Sequence, residues 1–145
     1  MRFLLASILL LFFSACFNEP DCVITSTSLV KITMKTLKKS VDTVLTFNYV
    51  TISGTNTILY QNTATSKLSL PLNPKADQTT FILRYGTKVD SIRVRYTPLN
   101  VILSPTCGAY VYYKDLATDT TSFSNHQVVN SQLSTSATVN IEIKL

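Results

Sequence analysis

Tryptophan is absent from the 145 residues, glycine occurs three times and histidine once. Three glycines are too few for the loops that cradle phosphates. One histidine and the cysteines, at their spacings, match no metal site. Charged residues make up 14% of the chain and only eight are acidic, so paired catalytic carboxylates have little to draw on. The net charge is +5, yet the lysines are spread and no Lys/Arg-rich run occurs. The basic stripe or motif of a nucleic-acid binder is therefore missing. Beyond residue 16 no window carries apolar residues at i, i+3, i+4 and i+7 with caps, which excludes a helical fold. What remains is plentiful Ser, Thr and Asn, with enough Val, Ile, Leu, Phe and Tyr to argue against disorder.

The N-terminus states a location. Arg2 precedes an apolar run over residues 3–13, broken only by Ser7, and small residues lead to Cys16. This order predicts a secretory signal peptide over residues 1–15. The run is short of the ~20 residues that span a bilayer, which weakens the alternative of a transmembrane anchor. Phe13-Ser14-Ala15-Cys16 resembles the bacterial lipobox, with Phe13 where Leu is commoner. The resemblance implies cleavage after Ala15 and acylation of Cys16, palmitate included. Each buried CH₂ contributes ~0.8 kcal/mol, so several chains anchor durably where one does not. A free or disulfide-bonded Cys16 is the alternative.

With Cys16 given to lipid, Cys22 and Cys107 are the available pair. An exported chain meets an oxidising compartment where such a bridge persists, and closing so long a loop stabilises by up to about 4.5 kcal/mol. The mature chain of about 130 residues suits one domain. Residues 16–28 read as a tether and residues 29–145 as the domain. Glu19 and Asp21, just behind the anchor, resemble the surface-export signal of some Bacteroidota lipoproteins.

The domain reads as strands. Val30, Ile32 and Met34 alternate with Lys31, Thr33 and Lys35, the period of a half-buried strand. Residues 41–52 place Leu45, Phe47 and Tyr49 on one face, and residues 57–61 make a short strand. Residues 67–72 share a face of Leu68, Leu70 and Leu72, and Pro71 restricts that strand to an edge or a bulge. Residues 79–85 and 89–96 make a hairpin turning at Gly86-Thr87-Lys88, with Phe81, Leu83, Tyr85, Ile92 and Val94 inside. Residues 101–103 form a short apolar piece between Pro98 and Pro105. Residues 109–116 and 138–145 alternate, residues 126–133 do so weakly, and residues 116–125 read as a polar loop. Eight or nine short strands predict an all-β fold, an antiparallel β-sandwich, with a small β-barrel as the alternative.

These residues also carry a family likeness. The lipobox, the 29–36 strand, Leu70-Pro71-Leu72-Asn73-Pro74, Thr79-Thr80-Phe81, residues 92–96, Ser104-Pro105-Thr106-Cys107-Gly108 and the closing apolar strand occur in this order. Together they resemble small Bacteroidota lipoproteins of unknown function, although Ala109 follows Gly108 where an aromatic is usual. The resemblance implies a β-rich envelope protein and brings no catalytic residue.

Chemistry is sparse. His126 could join Asp115 or Asp119 and a serine in a triad, but no Gly-x-Ser-x-Gly elbow exists, and a solvated histidine is the simpler reading. A hydrolase is therefore the remote alternative, and no cofactor is expected. Arg84, Arg93 and Arg95 fall on the outer hairpin face and could grip an anion through bidentate donors. Phosphorylated lipopolysaccharide or an acidic glycan would suit them, and Tyr110 and Tyr112 could stack on sugars. Plain solvated strand residues are the alternative for both groups. The expectation is a non-enzymatic binding or accessory lipoprotein at the outer membrane, its face undetermined. A structural or assembly factor bracing another envelope protein is the rival.

Overall fold

A computed structural model describes residues 27–104 and 107–145. The expected signal peptide, Cys16 and Cys22 lie outside the described residues. Those described form no helix and nine strands: β1 (Leu29–Lys35), β2 (Leu45–Ile52), β3 (Ile58–Thr65), β4 (Lys67–Pro71), β5 (Gln78–Tyr85), β6 (Lys88–Ser104), β7 (Gly108–Thr121), β8 (His126–Val128) and β9 (Ile141–Lys144). They build two sheets, ordered β4-β1-β9-β8 and β3-β2-β5-β6-β7. The fold is a β-sandwich, and the sheets do not close into a barrel.

The alternating residues meet between the sheets. Val30, Ile32, Met34, Leu68, Leu70, Ile141 and Ile143 of the smaller sheet pack with Phe47, Phe81, Leu83, Ile92 and Val94 of the larger, all fully buried. Burying each such side chain contributes about 1.5–3 kcal/mol. Strand β4 is an edge, as Pro71 requires. The sheets are clasped at that side, where the Tyr60 hydroxyl on β3 accepts the Ser69 amide of β4 at 3.0 Å. Among the described strands one pairing is parallel: β1, the first of them, runs beside β9, the last, so the intervening chain serves as their crossover.

Bulges account for the departures from simple alternation. Tyr49 does not join Leu45 and Phe47 inside. The β2–β5 register shifts between Phe47 and Tyr49, so Val50 takes the core position and Tyr49 turns outward. One extra residue flips every later side chain to the opposite face. Strand β6 continues past Pro98 instead of breaking there. Its β5 neighbour ends at Gln78↔Arg95, so beyond it one side of β6 has no paired strand among the described residues, and proline is tolerated there. Strand β7 pairs on to Thr121, through residues that read as loop, because two register shifts re-phase it. Asp115 sits at one of them with φ 58. At the hairpin between β5 and β6, Tyr85 pairs with Lys88 and Gly86 takes φ 53, the type II′ pattern.

Asn140 reads as an outward residue and is buried instead. Its side-chain oxygen accepts the Lys31 amide at 3.0 Å, and its amide donates to the Asn130 and Gln132 carbonyls at 3.1 and 3.0 Å. It therefore staples β1 to the segment before β9.

Candidate functional site

Three strand ends converge at one pole of the sandwich. The Leu37 amide donates to the Leu145 carbonyl at 2.8 Å, and the Leu145 amide donates to Lys35 at 2.9 Å. The Lys144 amide reaches the Asn125 carbonyl at 2.9 Å. The ends of β1 and β9 and the segment after β7 are thus tied together. The β5–β6 turn stands beside them, and a groove of about 430 Å³ runs between, lined by Leu37, Tyr85, Lys88, Val89, Lys144 and Leu145 among others. An adjoining groove of about 230 Å³ shares Lys144 and adds His126 and Glu142.

The pole is cationic. Lys38 and Lys39 follow Leu37 in an exposed turn, Arg84 and Lys88 flank the hairpin turn, and Lys144 lines both grooves. Among the described residues none of these five forms an ion pair, whereas Lys35, Lys67, Arg93, Arg95 and Lys114 all do. Of the other described cations, Lys31 is spent on the carbonyls of Thr135 and Ala137. Lys75 lies in the turn between β4 and β5, toward the far end.

The acids near this pole are already engaged. Glu142 holds Lys35 at 2.5 Å. Asp90 accepts the Tyr85 hydroxyl at 2.5 Å and the Ser122 hydroxyl at 2.7 Å. Burial first, then the hydrogen bond and charge of Asp90, push the Tyr85 phenol well above its ordinary range. Tyr85 is thus a neutral donor that holds the groove wall in place, and the unpaired lysines set the sign of the field.

The residues expected to grip an anion are divided by the fold. Arg93 and Arg95 converge on Asp119 of β7, at 3.6 and 3.3 Å, and Arg93 also donates to Thr80 at 3.2 Å. Arg84 shares their outer face, but it pairs with Val89 while Arg93 pairs with Thr80. Four residues along the strand separate them by about 13 Å. Arg84 therefore belongs with the lysines at the pole.

Tyr110 and Tyr112 lie elsewhere again. Beyond Arg95, β6 and β7 continue as a two-stranded arm, in which Leu99 faces Tyr112 and Val101 faces Tyr110. Both tyrosines are half-buried, and nearby Ile102 is 80% exposed. A groove of about 410 Å³ at the base of the arm is lined by Leu99, Val101, Tyr112, Tyr113, Leu133 and neighbours. The structure does not bring these tyrosines to the arginines.

His126 bonds the Phe123 carbonyl and the Thr118 hydroxyl, at 3.3 and 3.1 Å. Asp119 serves the arginines and Asp115 lies 3.9 Å from Lys114, so neither acid orients the histidine. Among the described residues, no group of three His, Cys, Asp or Glu side chains could hold a metal ion. Cys107, at the start of β7, is not a free thiol, and its expected partner Cys22 lies outside the described residues.

Lys38, Lys39, Lys88 and Lys144 escaped the sequence reading because 106 positions separate the first from the last. Their common signal is position, since each sits at or beside a strand end. No curated protein and no solved structure matches the chain. A family profile does match over residues 43–145, from β2 to the C-terminus, and by it the chain belongs to DUF6452, a family of unknown function.

Proposed function

We propose that this protein is a non-enzymatic binding module, lipid-anchored in the cell envelope, which takes an anionic ligand at its cationic pole. One observation carries the reading. Lys88 and Lys144 line one groove, Arg84 and Lys88 line the recess beside the hairpin turn, and Lys38 and Lys39 follow the groove residue Leu37 in an exposed turn; among the described residues these five have no acidic partner, whereas most of the other cations are engaged. Unpaired cations at a concave end raise the local concentration of anions and speed their capture. The lipobox-like Phe13-Ser14-Ala15-Cys16 supports an acyl anchor, and the likeness to Bacteroidota lipoproteins supports the outer membrane. Phosphorylated lipopolysaccharide or an acidic glycan is the ligand class found in that compartment. The same processing supports a Cys22–Cys107 disulfide, and Cys107 is engaged.

The test is binding to lipopolysaccharide vesicles in low salt. Each lysine near an anionic surface contributes about 1 kcal/mol, so replacing Lys38, Lys39, Lys88 and Lys144 by Ser weakens binding on the order of a hundredfold or more. The Arg93→Ser, Arg95→Ser variant changes it little. Equal binding by all three proteins would remove the reading. Protease shaving of intact cells, beside a periplasmic control, then decides which face of the outer membrane the domain occupies.

The rival, a factor that braces another envelope protein, is favoured by the arm. From residue 97 onward β6 has β7 on one side and, among the described residues, no paired strand on the other. Such an edge can accept a strand from a partner. Crosslinking that captures one envelope protein through the arm, with the lysine variants binding vesicles normally, would favour it.

A further inference from the structure

The cationic pole also exposes aliphatic side chains. Leu37 and Val41 belong to the turn after β1, in which the Ser40 amide donates to the Thr36 carbonyl at 3.0 Å and the Thr36 amide to Val41 at 2.8 Å. Val44 stands just before β2, and Val89 just after the β5–β6 turn. These four are each more than half exposed, and Leu145, after β9, is 39% exposed. Leu37, Val89 and Leu145 line the groove beside Lys88 and Lys144. Tyr49 lines the neighbouring recess with Arg84, Lys88 and Val89. One pattern recurs at three strand ends, where Leu37-Lys38-Lys39, Lys88-Val89 and Lys144-Leu145 each set an aliphatic residue beside a cation. Exposed apolar residues scattered singly are ordinary, but a group of them rimmed by polar ones marks a contact surface.

We propose that this pole docks onto an anionic lipid bilayer, with its aliphatic side chains in the headgroup boundary and its lysines and Arg84 against the headgroup phosphates. The inference rests on the anion-binding reading above and names the surface that carries the anions. The charges are complementary, because the acids of the pole are engaged. Asp42 pairs with Lys67 at 3.5 Å, Glu142 with Lys35, and Asp90 takes the Tyr85 and Ser122 hydroxyls. A soluble polyanion would meet the cations and leave Leu37, Val41 and Val44 in water. A bilayer meets both, since lysine stems lie along apolar surface while their ammonium groups stay at the headgroups, and a tyrosine such as Tyr49 suits the same boundary. The arm has exposed aliphatics too, but residues 97–113 contain no charged side chain to draw it to such a surface.

Both parts of the pole are needed. Each cation near an anionic bilayer strengthens attachment about fivefold, and each buried CH₂ about fourfold. The aliphatic groups are few and partly exposed, so high salt should release the pole even with all of them intact.

Tryptophan fluorescence of the full-length protein tests this. The chain has no tryptophan, so Val41→Trp places a single reporter at the pole, and Ile58→Trp places one at the opposite end of β2, where Ile58 pairs with Thr51. Each protein is mixed with phosphatidylglycerol or phosphatidylcholine vesicles brominated on their acyl chains. Bromine quenches by contact and reads a side chain seated ~5–10 Å deep. Val41→Trp should shift to the blue and be quenched in the anionic vesicles, and lose both effects in neutral vesicles or at high salt. Ile58→Trp should stay unquenched throughout. Whatever else holds the chain to a bilayer holds both reporters equally, so their difference belongs to the pole. In the Val41→Trp background, Lys38→Ser with Lys39→Ser should lower insertion on the order of tenfold or more, and so should Leu37→Ser with Val89→Ser. Lysine-dependent binding to lipopolysaccharide vesicles with an unquenched Val41→Trp would keep the cationic site and overturn the docking. Absence of both would remove the anion-binding reading as well. An equal blue shift with heparin in place of vesicles would assign a soluble polyanion, and a shift without vesicles that grows with protein concentration would assign a second copy. Either would overturn the docking.

Discussion

The larger sheet ends in hairpins of opposite character. At one end the turn at Gly86 is short, and the cations beside it, Arg84 and Lys88, have no acidic partner among the described residues. At the other, β6 and β7 run on as an arm whose side chains are apolar and partly covered. The difference separates two kinds of recognition. Charge at the first end acts over about a Debye length and fades with salt. Apolar area at the second needs contact and is nearly indifferent to salt. A ligand held by the first end should be lost at high ionic strength, and a segment held by the second should stay.

The largest expected effect lies at the base of the arm. Asn140→Ala strands the Lys31 amide and the Asn130 and Gln132 carbonyls, and should cost about 3 kcal/mol, read by urea unfolding. If the arm groove loosens while vesicle binding at the cationic pole persists below the unfolding midpoint, the two ends are independent. Joint loss would make them one unit.

Next comes the wall of the cationic groove. Burial first raises the phenols of Tyr85, Tyr96 and Tyr113. A raised folded-state value favours the neutral form, so this stability is complete below about pH 10 and falls as pH climbs through the folded values. Tyr85→Phe should lose about 1 kcal/mol at neutral pH through its bond to Asp90, and show a shallower alkaline loss than the wild type. An unchanged alkaline limb would mean that Tyr85 does not govern it.

A smaller effect distinguishes paired from unpaired cations. Asp119→Asn frees Arg93 and Arg95 in the middle of the sheet, and exposed ion pairs contribute about 0.5 kcal/mol or less to stability. Vesicle binding should rise less than Lys88→Ser lowers it. A larger rise would move the anion site from the pole to the sheet face. Smallest of all, Ile102→Ser should change the unfolding midpoint by an amount within about 0.5 kcal/mol, since the side chain is already 80% exposed. A clear loss would mean that Ile102 is covered in the intact molecule.

Much of this architecture could be read along the chain. Alternation at Val30, Ile32 and Met34, and at Leu68, Leu70 and Leu72, marked strands that are buried on those faces. Pro71 marked an edge, and Gly86 marked a turn. Each signal is local, because a strand repeats every two residues and a proline or glycine constrains its own backbone. The same reasoning placed Tyr49 inside and Asn140 outside, and both were reversed. A bulge re-phases β2 at the first, and three long-range hydrogen bonds satisfy a buried amide at the second.

The candidate site was barely legible. Arg84, Arg93 and Arg95 share a face by alternation alone, but alternation carries no information about Asp119 on the next strand, which takes two of them. Strand type, and facing wherever no bulge or long-range hydrogen bond intervenes, were therefore present in the residues themselves, as consequences of backbone geometry that each short segment obeys on its own. Which charges remain unpaired was not, because it depends on register, on strand length and on the meeting of β1, β5, β6 and β9 at one pole. Those are set by pairing between residues as many as 109 positions apart, and they come into being only when the sheets close on a shared core.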